Sequence, residues 1–118
     1  MNISSASLCL VLLLAPSVPT FAQSAHPEPG PSLYAVNSAA ISAAMTYCMA
    51  KYGPLTTGSR SAACFSRARN VLADFGLREK SVRIDQTCNN PSQFNTCITP
   101  EIGRFVIALN AEFGKQGL

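Results

Sequence analysis

The chain has 118 residues, 47% hydrophobic and 13% charged, with a net charge of +3. That length allows one domain and excludes large multidomain enzymes. The modest positive balance and the absence of Trp give no nucleic-acid signature.

The first element is a leader. Leu8 to Ala15 is a compact apolar core, followed by Pro16 and Pro19 and then Thr20-Phe21-Ala22, with small residues where a signal peptidase reads. Residues 1–22 are expected to be a cleaved signal peptide, with Ala25 as a second possible cut. No Lys or Arg precedes the apolar core, which is unusual for a signal. An uncleaved anchor is the competing reading, but the core falls far short of the ~20 apolar residues that span a bilayer. Cys9 lies inside the apolar core, so it is not a lipoprotein site. All Lys, Arg, Asp and Glu lie after residue 22, so cleavage leaves the net charge unchanged.

Residues 23–32 contain Pro27, Pro29, Gly30 and Pro31 and are expected to form a flexible lead-in. A helical domain should then occupy 33–118. Leu33 to Tyr52 predicts a long helix, with Tyr34, Ile41, Met45, Cys48 and Tyr52 on one apolar stripe. Its many Ala and Ser residues permit close approach of another helix, and Gly53-Pro54 stops it. Asn37, the Ser and Thr residues and a weak apolar average argue against a membrane span here.

A second helix is expected from Ser59, its N-cap, to Phe75. Cys64, Ala68, Val71 or Leu72, and Phe75 form its apolar face, opposite Arg60, Arg67, Asn70 and Asp74; Gly76 ends it. "LREKSVRIDQTC" fits either a helix or a short strand. A lone strand has no partner, which favours helix or irregular structure. Asn90, Pro91 and Gln93 predict one or two helical turns over Pro91 to Thr96. A last helix is expected to start at Thr99-Pro100-Glu101, with Ile102, Phe105, Val106, Leu109 and Phe113 as its apolar stripe and Lys115 at its negative end. No solenoid repeat or heptad run occurs. The fold class is therefore all-α, a small bundle of about four helical segments.

Cleavage would remove Cys9 and leave Cys48, Cys64, Cys88 and Cys97. An even count in a short exported chain predicts two disulfides. Folding the first two helices into an antiparallel hairpin about residue 56 brings Cys48 and Cys64 to one height on shared apolar faces. That favours Cys48–Cys64 with Cys88–Cys97, although spacing alone leaves the two other pairings open. The cysteines are separated by 15, 23 and 8 residues, which does not fit the close ligand pairs of zinc sites. There is no C-x-x-C, so a thioredoxin-like centre is not expected.

The one histidine, His26, lies in the lead-in. Histidine-dependent catalytic motifs cannot be built in the folded part. Asp74, Glu79, Asp85, Glu101 and Glu112 show no pattern that places two of them across a cleft. No enzymatic activity, metal or cofactor is expected. Six cations (Arg60, Arg67, Arg69, Arg78, Lys80, Arg83) form a candidate patch for an anionic partner. The competing reading is an ordinary solvated helix face.

Cys97-Ile98-Thr99-Pro100 followed by "EIGRFVIALNAEF" resembles the periplasmic immunity proteins that neutralise toxic cell-wall amidases. Those proteins are small, exported and helical, and tend to carry a cysteine just before a Pro-initiated final helix. The resemblance is confined to this one segment and does not assign a family. The expected function is an exported, periplasmic or extracellular binding protein of partner-binding, inhibitor or immunity type, without a membrane span. The alternative is a carrier of a lipid or small apolar ligand, with Phe65, Phe75, Phe94, Phe105 and Phe113 lining a cavity.

Overall fold

A computed structural model describes residues 30–118, and every regular element among them is helical. The expected signal peptide, His26 and most of the lead-in lie outside the described residues. The helices are α1 (Ser32–Tyr52), α2 (Arg60–Asp74), α3 (Leu77–Thr87) and α4 (Phe94–Lys115), with a 3-10 turn at Pro91–Gln93. α1 is the central helix: it packs against each of the other three, more extensively than they pack on one another.

Local chemistry explains most boundaries. Gly53 ends α1 with φ 95°, and its N–H donates to the Met49 carbonyl at 2.8 Å. Ser59 caps α2, its hydroxyl accepting from the Ala62 N–H at 3.0 Å. Gly76, at φ 74°, turns the chain from α2 directly into α3. The ambiguous segment is helical: Ser81, Ile84 and Cys88 are buried at helical spacing, whereas Arg83 is exposed. Asn90 accepts from the Ser92 N–H at 3.1 Å and starts the short turn at Pro91.

Both disulfides have the pairing that the hairpin geometry favoured. Cys48 joins Cys64, tying α1 to α2, with Cα atoms 5.6 Å apart. Cys88 joins Cys97, also 5.6 Å apart, tying the end of α3 to the second turn of α4. Each covalent loop stabilises by about 2–4 kcal/mol, chiefly by restricting the unfolded chain. A domain this small has a limited core, so such support matters.

Two expectations are corrected. The last helix starts at Phe94, and Pro100 lies inside it. Pro100 cannot donate to the Thr96 carbonyl. Thr96 is exposed, so water can satisfy that oxygen, and Thr99 Oγ1 donates to the Asn95 carbonyl at 2.9 Å. The Cys88–Cys97 bond and burial of Ile98 hold the turn before Pro100 onto the domain.

The second correction concerns α1. Its buried face is Ser32, Val36, Ala40, Ala43, Ala44 and Cys48. Of the predicted stripe only Cys48 is buried; Tyr52 is half-buried, and Tyr34, Ile41 and Met45 face outward. Apolar residues are spread almost evenly round α1, so periodicity does not single out a face. Packing against three neighbours selects the small residues, which let the axes approach closely.

Candidate partner-binding surface

The outward face of α1 is unusually apolar. Tyr34 is 81% exposed, Met49 42%, Ile41 41% and Met45 36%, and Ile107 of α4 is 71% exposed. From Ser32 to Ala50 the helix carries no charged residue. Tyr34, Asn37, Ile41 and Met45 border one shallow hollow of about 450 Å³. A larger groove of about 630 Å³ runs between α1 and α4, bordered by Ala39, Ala43, Tyr47, Val106 and Asn110. Ser42 borders both, so the two depressions form a continuous surface along α1. Exposed apolar surface of this kind, with Lys51 the one charged residue on its border, is characteristic of interaction sites.

The six predicted cations lie in different local settings on α2 and α3. Arg60 lies at the start of α2 with its guanidinium 5.1 Å from the centre of the Tyr52 ring, and the Lys51 ammonium lies 5.6 Å from the same ring. Arg67 donates from Nη2 to the Gly117 carbonyl at 3.1 Å. Arg69 and Arg78 are exposed, on α2 and α3. Lys80 and Arg83 share a groove between α3 and α4, joined there by Arg104. Arg104 escaped the sequence reading because it belongs to a different helix; the signal available was its i,i+3 position relative to Glu101, with which it pairs at 2.5 Å.

The lower end of the bundle is fastened by polar contacts to the chain end. The Leu118 side chain is buried, and its backbone oxygen accepts from the Tyr47 hydroxyl at 3.3 Å and from Lys51 Nζ. Tyr47 also packs on Phe113, with ring centres 5.3 Å apart. The phenylalanines serve the core. Phe113 and Phe105 are buried, Phe65, Phe75 and Phe94 pack partly buried against the core, and none of the five borders the larger groove.

The acids are spread over α2, α3 and α4, and Asp74 of α2 and Glu112 of α4 border one pocket of about 310 Å³. Glu101 and Glu112 pair with Arg104 and Lys115 on their own helix. Asp85 serves α1, as its Oδ1 accepts the Ser32 N–H at 3.0 Å. Among the described residues no cluster of three or more His, Cys, Asp or Glu could hold a metal, and no helix is long and apolar enough to cross a membrane.

Comparison with protein-family models, curated proteins and solved structures returns no match. The segment resembling the amidase-immunity proteins also lacks the Pro-initiated start that prompted the likeness, because Pro100 sits within α4.

Proposed function

We propose that this chain is an exported helical binding protein, of partner-binding, inhibitor or immunity type, that engages a protein partner through the outward face of α1 and performs no catalysis. The observation that carries this reading is the run of Tyr34, Ile41, Met45 and Met49, exposed on a helix without charges from Ser32 to Ala50. A charge-free, apolar helix face is costly to leave in water and suits burial against another protein. Two disulfides and the leader-like segment at residues 1–22 support export, because such bonds persist in oxidising compartments. They also give α1 a rigid backing, which limits the entropy lost on binding.

The test is site-specific photo-crosslinking in the producing cell. A photoreactive residue at Ile41 or Met45 should give a discrete protein adduct, while one at exposed Gln86 on α3 should not. An adduct to lipid, or an apolar small molecule that co-purifies by native mass spectrometry, would replace this reading with the carrier. Absence of any adduct at both α1 positions overturns it.

A further inference from the structure

A second surface shares no residue with the α1 face. The groove between α3 and α4, about 220 Å³, is bordered by Lys80 and Arg83 from α3 and by Arg104 from α4. Buried Ile84 and Phe105 form its floor, and exposed Ala108 also borders it. Glu101 is the one acid on its border and is already engaged by Arg104. The Lys80 ammonium lies 4.4 Å from the centre of the Phe75 ring, a cation–π contact. Arg83 is exposed and has no acidic partner among the described residues.

We propose that this groove, with Lys80, Arg83 and Arg104 around Ile84 and Phe105, docks an acidic segment of a protein partner carrying an apolar side chain beside its carboxylates. The charges supply the complementarity. Arg83 can take a carboxylate through paired N–H donors, Arg104 offers the N–H groups that Glu101 does not occupy, and Lys80 adds a third positive centre. The floor supplies the apolar half of the match. Ile84 and Phe105 are each only 6% exposed, recessed beneath the cationic border. A protruding side chain can reach such a floor, whereas a flat headgroup layer meets only the border. This favours an acidic protein segment over an anionic membrane. Such a groove would also steer an acidic partner during encounter.

The inference rests on the partner-binding reading but concerns a different surface, so the two can fail separately. The oxidised, exported protein, isotopically labelled, is titrated at low salt with a synthetic peptide of repeated Glu-Glu-Leu and with its Lys-Lys-Leu counterpart. Saturable binding of the acidic peptide alone is expected, with amide shifts centred on Arg83, Ile84, Arg104 and Ala108. R83E, at an exposed position, should keep a folded spectrum and weaken binding by about tenfold, because it removes one pairing and adds a repulsion. No saturable binding, shifts centred elsewhere, or unchanged affinity in R83E overturns the proposal. So does binding to phosphatidylglycerol vesicles without binding to the peptide, which would assign the groove to headgroups. Crosslinking at Ile41 with no peptide binding here would leave the α1 reading standing and remove this one.

Discussion

The backbone N–H of Ser32 donates to Oδ1 of Asp85 at 3.0 Å, across 53 positions of sequence. Pro31 occupies the N-cap position of α1 and supplies no side-chain cap. Asp85, on α3, therefore caps α1 from another helix and places a negative charge at its positive end. Ser32 Oγ reinforces the junction by donating to the Ser81 carbonyl at 2.7 Å. Asp85→Ala loses a cap usually worth about 1–2 kcal/mol but also removes Oδ2, which is buried with no partner among the described residues, so the net destabilisation should stay below about 2 kcal/mol. Denaturant unfolding under oxidising conditions measures it.

Gly30 provides a second test of the same junction. A Cβ at Gly30 would fall 2.2 Å from Asp85 Oδ2, so Gly30→Ala must push the carboxylate out of place. Gly30→Ala should cost about as much as Asp85→Ala, and it should add little in the Asp85→Ala background, where the obstructing carboxylate is gone. Additive costs in the double variant would show that Gly30 acts on something else.

Much of this fold was legible because its signals are local. Ser59, Gly53, Gly76 and Asn90 act on their immediate neighbours, and the Cys48–Cys64 pairing follows from folding two adjacent helices about one link. Tertiary choices were not legible. Nothing within α1 says that Ala40, Ala43 and Ala44 go inward while Tyr34 and Ile41 go outward, because three other helices decide it. Lys80 and Arg83 were recognisable as cations, but their grouping with Arg104 exists only once α3 meets α4. Arg60 was equally recognisable, yet it folds over Tyr52.

Pro100 misled for a definable reason: Thr99-Pro100-Glu101 has the composition of a helix start but lies within α4. Its ring removes one backbone hydrogen bond that a helix interior would otherwise have. Pro100→Ala should restore a donor to the Thr96 carbonyl. A proline in a helix interior costs roughly 3 kcal/mol, while it restricts the unfolded chain by up to about 1 kcal/mol in the opposite direction. The variant should therefore be more stable, with a raised melting temperature and no change in helix content by circular dichroism. A lower melting temperature would mean that α4 relies on the proline.

Ser61 offers an independent stability test. It is fully buried near the start of α2, and its hydroxyl oxygen has no hydrogen-bond partner among the described residues. At the second helical position there is no preceding turn whose carbonyl it could reach. A buried, unsatisfied hydroxyl costs about 1–3 kcal/mol. Ser61→Ala should recover part of that and raise the melting temperature by several degrees. Ser61→Val, which adds volume beside the buried Cys64, should lose the gain through overpacking.

The pH response of α4 turns on Glu112. Its carboxylate accepts from Gln116 Nε2 at 2.8 Å and lies 3.6 Å from Lys115 Nζ. The Gln116 hydrogen bond, opposed by desolvation and aided by the charge and hydrogen bond of Lys115, holds its pKa below the ordinary glutamate value. The folded chain thus binds this proton more weakly than the unfolded chain does. The resulting stabilisation is present above the ordinary carboxylate range and fades as pH falls through the lowered folded value. A side-chain NMR titration should place the Glu112 midpoint below that of a glutamate in a short peptide. Gln116→Ala should move the midpoint upward, and by more than Lys115→Ala does, because the hydrogen bond is the larger cause. At 1 M salt the Lys115 contribution should largely vanish while the Gln116 contribution persists, since salt screens exposed charges but leaves a neutral donor in place. A midpoint unmoved in Gln116→Ala would assign the shift to charge alone.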